Sequence, residues 1–173
     1  MRTTAWCSRA RAPSSGSEAA AMGYASVRDQ GVYDLVERAN VARLGGPEDA
    51  DSRAAEAICR DVFGAEERIA VYGALAPGEA RHYMLAPLRG AWTTGFVRGR
   101  MEQGPWSALL GPGLRLEGGA ERVPVHVLHA PMLEQGWGVL DQIRGLGFSR
   151  LLTPVEDGDG VAAVANVLAL PET

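Results

Sequence analysis

The chain has 173 residues, 46% of them hydrophobic and 22% charged, and a net charge of −4. That composition fits one globular domain with an appendage, and the acidic balance argues against a general nucleic-acid binder, which would carry a basic patch. Every basic residue is Arg, so lysine Schiff-base chemistry and a Walker-type phosphate lysine are excluded. No apolar stretch approaches the roughly 20 residues that cross a bilayer.

In chain order, residues 1–22 are rich in Ala, Ser and Arg, with Glu18 as their only acid. The composition resembles a transit peptide; the plainer reading is a disordered leader, or an upstream start with Met22 as the true one. Residues 23–66 read as a helical extension. Val32, Leu35, Val36 and Ala39 recur at helical spacing until Gly45-Gly46. Pro47 suits the first position of a second helix, with Glu48 and Asp49 at its positive end. Ala55, Ile58 and Val62 would line its buried face, and Gly64 would stop it. Cys59 on this helix reads as an inert core or boundary thiol.

From residue 67 to 171 the pattern changes to strands, expected at 68–72, 91–101, 106–110, 122–129, 148–156 and 161–170. "DGDG" at 157–160 is a hairpin signal between two apolar runs. One helix is expected over 131–144, opened by Pro131, with Leu133, Trp137 and Leu140 on one face. Several strands with a single late helix imply an α+β domain, a small mixed and mostly antiparallel barrel with peripheral helices.

Few residues carry chemistry by type alone. Cys7 and Cys59 form no CxxC, so neither a disulfide framework nor a zinc site is indicated, and a reducing cytoplasm is the default. His126 and His129, three apart on a strand, point to opposite faces and cannot share a metal; they and His82 read as single surface or buried histidines. Ser107 lies near no recognisable base. "GPGLRLEGG" fails G-x-G-x-x-G, with Leu116 where the third glycine belongs. No metal or cofactor is expected. Trp92, Trp106 and Trp137 could form a stacking platform, with core packing the stronger reading for at least two.

"VYGALAPG" at 71–78 resembles the "VYGSLRPG" entry of the γ-glutamylcyclotransferase superfamily, including AIG2-like proteins. "GAWTTGFVRGRM" at 90–101 and "GPWSALLGPG" at 104–113 resemble its following segments. "VPVHVLHA" is similar to its next strand, with His126 where glycine is usual, and "LDQIRGLGFSRLLTPV" at 140–155 resembles "LDxxEGxxYxRxxVxV". The resemblance covers residues 68–170 and implies that family's barrel. It also implies its reaction, in which the α-amine of a γ-glutamyl unit attacks its own γ-carbonyl and releases 5-oxoproline. Proximity does most of this work, aided by one glutamate acting as base and then acid. The implied ligand cradle is Tyr72, Gly73, Ala74 and Leu75, where Gly73 lets backbone approach the ligand.

Two positions depart from that pattern. The catalytic glutamate is replaced by Arg144, whose guanidinium stays protonated and cannot act as a base, and the usual loop serine is Ala74. The implied protein is a catalytically impaired member whose Arg144 faces the cradle and favours a small acidic ligand. One alternative is an active divergent cyclotransferase using another acid, with Glu79, Glu102, Glu134 and Asp141 as candidates. Asp141 reads better as an ion-pair partner or helix-end cap. The other alternative is a non-catalytic protein-interaction module. The expected partner is a small molecule, anionic or γ-glutamyl-like, with no nucleic acid and no membrane.

Overall fold

In the computed structural model residues 15–171 are described, without the side chains of residues 15–28 and Arg144. Six strands form the sheet: β1 (Arg68–Val71), β2 (Ala91–Glu102), β3 (Gly113–Leu116), β4 (Arg122–His129), β5 (Ser149–Glu156) and β6 (Val161–Ala169). Their order is β3-β2-β4-β1-β6-β5, and β5 returns to β2, closing five strands into a barrel with β3 appended. Only β1 and β6 run parallel; the other strand pairs are antiparallel. The fold is therefore α+β, a mixed and mostly antiparallel barrel with peripheral helices.

Alternation decides what lies inside the barrel. Val123, Val125 and Val127 of β4 pack with Val97 of β2, Ala70 of β1, and Leu151 and Val155 of β5. The neighbouring positions Ile69, Val71 and Leu128 form a second, outer core. Leu75, Leu85, Leu133, Leu140 and Phe148 cover it from the connecting segments.

The stretch 106–110, expected as a strand, is a single helical turn, α3 (Ser107–Leu110). Ser107 Oγ accepts from the Gly104 amide at 2.9 Å, which favours a turn over extension. The third strand lies just beyond, at Gly113–Leu116, inside the glycine-rich stretch 111–119. The expected helix over 131–144 is also broken. Only Trp137–Leu140 (α4) is α-helical, between 3-10 turns at Leu133–Gly136 and Asp141–Leu146. Gly136 and Gly138 weaken a continuous helix here. Leu133 and Leu140 are buried as expected, while Trp137 is half-buried.

Helix α1 spans Ser15–Arg43, so residues 15–22, expected in the leader, lie in its first turns; residues 1–14 are outside the described residues. Val36 and Ala39, flanked by Val32 and Leu35, pack on Leu152 and Val164 of the barrel, as their spacing implies. Polar groups fix the docking. Asn40 donates from Nδ2 to the Leu152 carbonyl and accepts from the Leu152 amide, each at 2.8 Å. It thus completes the outward edge of β5, as a neighbouring strand would. Arg43 pairs with Glu56 and donates to Asn166 Oδ1 at 2.8 Å.

Helix α2 (Ala50–Asp61) starts later than Pro47 implies, because Asp49 is its N-cap: the carboxylate accepts from the Ser52 amide at 2.8 Å. That hydrogen bond holds the Asp49 carboxyl below the usual carboxylate range. The buried face is Ser52, Ala55 and Cys59, whereas Ile58 and Val62 point outward at 42% and 73% exposure. Sequence spacing placed Ala55 inward correctly but took the larger apolar residues Ile58 and Val62 for inner ones. Among the described residues no helix is long and apolar enough to cross a membrane.

Candidate ligand-binding site

The outward face of the β2–β4 ladder presents successive cross-strand pairs: Trp92 with Leu128, Thr94 with His126, Phe96 with Pro124, and Arg98 with Arg122. Part of this face is roofed by the segment leaving β1. Between them lies a cavity of about 740 Å³. The roof contributes Tyr72, Gly73, Ala74 and Glu79; the ladder contributes Thr94, Phe96 and His126. Leu110-Gly111 and Asp157-Gly158 wall it further.

The chain leaves β1 through Tyr72 into a 3-10 turn at Gly73–Leu75. Gly73 has φ +52°, and a Cβ there would lie 3.1 Å from the Leu110 carbonyl oxygen. Both facts favour glycine at this position, and both arise from the protein's own chain. The turn is braced: the Ala74 carbonyl accepts from the Arg81 amide at 2.8 Å, and the Leu75 carbonyl accepts from His82 Nδ1 at 3.2 Å. The first amides of such a turn have no partner within it, which leaves those of Gly73 and Ala74 at the cavity wall.

Tyr72 lines the cavity, yet its hydroxyl is committed elsewhere. It donates to the Leu168 carbonyl at 2.7 Å and accepts from the Leu114 amide at 3.0 Å. Burial pushes the phenol up to about 12. Its role is to tie β3 and β6 to the end of β1. Leu75 is not on the cavity wall; it turns into the outer core. It borders a cleft of about 20 Å³ beneath the turn, together with Tyr72, Ala74, Ile143 and Phe148. Arg144 follows Ile143 in the 3-10 turn Asp141–Leu146, which brings that segment under the cradle. The Arg144 side chain lies outside the described residues, as does its expected approach to the cradle.

Of the candidate acids, Glu79 is on the wall. Glu102 belongs to an ion pair with Arg115 at 2.7 Å, and the Arg115 hydrogen bonds hold its carboxyl below the usual range. Glu134 is exposed. Asp141 Oδ1 is buried and has no hydrogen-bond partner among the described residues. No tryptophan lines the cavity among the described residues. Trp106 packs edge-on against Phe148 at 5.7 Å and Trp137 lies under the Arg150 guanidinium at 4.3 Å, in packing roles. Trp92 sits beside His82 at 5.4 Å. His129 Nε2 pairs with Glu67 at 3.0 Å.

His126 is the residue that sequence reasoning passed over. It lies half-buried on the wall, opposite Thr94 on one side and Val71 on the other, with no hydrogen-bond partner among the described residues. Alternation along β4 puts Val125 and Val127 inward and therefore His126 outward, but only the register with β1 and β2 makes that face the cavity wall. Among the described residues Glu79, His126 and Asp157 are the titratable side chains on the wall apart from the committed Tyr72. No group of three His, Cys, Asp or Glu among the described residues could hold a metal ion.

Beyond the Phe96 end lies Glu156, only 5% exposed, whose Cα partner is Phe96 at the closure of the barrel. Its carboxylate accepts from Arg98 at 2.8 and 3.1 Å, from Arg122 at 2.7 Å and from the Tyr33 hydroxyl at 2.7 Å. Burial alone would raise this carboxyl, but the hydrogen bonds from Arg98, Tyr33 and Arg122 outweigh it and hold the group below its usual range. This satisfied cluster ties β2, β4, β5 and α1 together. It leaves Glu156 no free oxygen for ligand chemistry.

No protein-family model matches the chain, and no curated protein matches it. Solved structures with similarity include the uncharacterized protein PH0828 from Pyrococcus horikoshii, 18% identical, over 61% of this chain and 79% of that one, with a TM-score of 0.45. YkqA from Bacillus subtilis is 23% identical over 62% of this chain and 36% of that one, with a TM-score of 0.48. The allophanate hydrolase of Kluyveromyces lactis is 16% identical over 58% of this chain and 17% of that one, with a TM-score of 0.43. Likenesses of this degree assign no family and no activity.

Proposed function

We propose that the chain is a γ-glutamylcyclotransferase-like protein whose cavity binds a small γ-glutamyl-like molecule. The reading is supported by one observation above the rest: the turn that carries the resemblance, Tyr72-Gly73-Ala74, is the roof of the open cavity. Its leading amides, unpartnered within the turn, suit a carboxylate, and Glu79 and Asp157 on the same wall suit an ammonium group. A γ-glutamyl unit carries both. The charges described on the wall favour this ligand over the purely acidic one that Arg144 implies, because two carboxylates repel a dianion.

Titration calorimetry with γ-glutamyl amines and with small dicarboxylates tests the reading. Binding of the amines, weakened by Glu79→Gln, is expected. Binding of dicarboxylates alone, abolished by Arg144→Ala, would restore the anion-binding reading, and binding of neither class would remove the ligand site altogether.

A further inference from the structure

The Arg144 guanidinium cannot take a proton from a substrate ammonium, so a cyclisation in this cavity needs another group. We infer that His126 is the acid–base group of the cavity, and that the protein cyclises γ-glutamyl amides through it. This rests on the ligand reading above.

Three observations carry it. First, His126 is the imidazole on the described wall, and no hydrogen bond engages its ring among the described residues. His82 and His129, by contrast, are held by the Leu75 carbonyl and by Glu67. Second, its place is fixed by two ladders. It pairs with Val71, two residues before Gly73, and with Thr94, which also lines the wall. Paired residues sit about 4.5–5.5 Å apart at Cα, so the ring stands beside the turn that would hold the glutamyl end. Third, it stands where the resembled pattern has glycine. An imidazole, which can both accept and donate a proton, thus lines the cavity of a chain that carries Arg at position 144.

The chemistry closes on these groups. His126 removes a proton from the α-ammonium of a γ-glutamyl amide bound along the turn, with the Glu79 and Asp157 carboxylates facing the positive charge. The freed α-nitrogen forms a bond to the γ-carbonyl carbon. The bond from that carbon to the leaving nitrogen then breaks as His126 returns the proton to that nitrogen, and the second proton of the α-nitrogen, shed as the lactam forms, passes through His126 to the released amine. The products are 5-oxoproline and an amine that leaves as its ammonium ion, so atoms and charge balance without another reactant.

The test incubates the full chain with γ-glutamyl amides of alanine and of benzylamine and measures 5-oxoproline by mass spectrometry, with calorimetric binding alongside. The wild type is expected to release 5-oxoproline. His126→Gln should lower kcat by at least about a hundredfold, the usual scale for a general acid–base group, with KM changed only a few-fold. His126→Gly, which restores the pattern's glycine, should be inactive and regain activity with added imidazole, a rescue that a misfolded variant cannot show. Binding without any 5-oxoproline release would overturn the inference and leave the ligand reading standing. Release that survives His126→Gln at the wild-type kcat would overturn it too, and assign the proton transfer elsewhere. Absence of both binding and release would overturn both readings together.

Discussion

Replacing Asn40 by Ala tests whether α1 is part of the barrel or merely lies against it. Asn40 is 8% exposed and makes two hydrogen bonds of 2.8 Å to the backbone of Leu152, itself 1% exposed. Alanine removes both and leaves one amide and one carbonyl of β5 without partners. Each orphaned buried group costs about 1–3 kcal/mol, so the sum is about 2–6 kcal/mol. Water entering the space of the lost amide recovers part of this, and a net loss of about 2–4 kcal/mol is expected. Urea denaturation followed by circular dichroism gives the change from the shift in midpoint at unchanged slope. Asn40→Asp is the sharper control. It keeps an acceptor for the Leu152 amide but sets a carboxylate oxygen against the Leu152 carbonyl, and should be at least as destabilising at neutral pH. A loss below about 1 kcal/mol in both variants would refute the reasoning and mean that apolar packing of Val36 and Ala39 holds α1 by itself.

Further expectations concern single groups. Glu156 has a folded-state pKa below its unfolded value, so its contribution to stability is present above the unfolded pKa and is lost as pH falls through the folded one. Glu156→Gln should therefore flatten the acid limb of a stability–pH profile, and an unchanged limb would count against the cluster. Tyr72→Phe should cost about 1–3 kcal/mol by orphaning the Leu114 amide and Leu168 carbonyl. Loss of ligand affinity with unchanged stability would show instead that the hydroxyl faces the ligand. Burial pushes the Cys59 thiol up to about 11, so peptide-level mass spectrometry after iodoacetamide should find Cys59 unmodified in the native protein and alkylated in urea. Rapid native labelling would contradict its placement between α1 and α2.

Much of the barrel was legible because β1, β2, β4, β5 and β6 are long or strongly apolar and bounded by turns. The "DGDG" hairpin forms as its residues imply: the Asp157 amide donates to the Gly160 carbonyl at 2.8 Å, and Gly160 takes φ +123°. Short elements were not legible. The four residues of β3 gain their strand character from pairing with β2 and from the Leu114 amide bond to Tyr72, neither of which is local in sequence. For α2 the period and the inward place of Ala55 were readable, but only the docked partner shows that Ser52 lies inward while Ile58 and Val62 face out. The turn at Tyr72–Leu75 could be found by resemblance. That Tyr72 is spent on structure, and that His126 stands on the cavity wall, depends on strand register and could not be read from local spacing.

The tip of the β5–β6 hairpin belongs to two contacts at once. Asp157 and Gly158 wall the cavity, and the next turn of chain is gripped by α1, where Asp29 Oδ1 accepts from the Val161 amide at 3.1 Å. A shared element of this kind makes the two equilibria conjugate. Any ligand that orders the tip must tighten the hold of α1 on the barrel, and any change that loosens α1 must weaken that ligand by the same free energy. By that linkage the amino-terminal helix, which lies outside the cavity wall described above, would act on the affinity of such a ligand, and amide exchange at Val161 would report on both ends of the coupling.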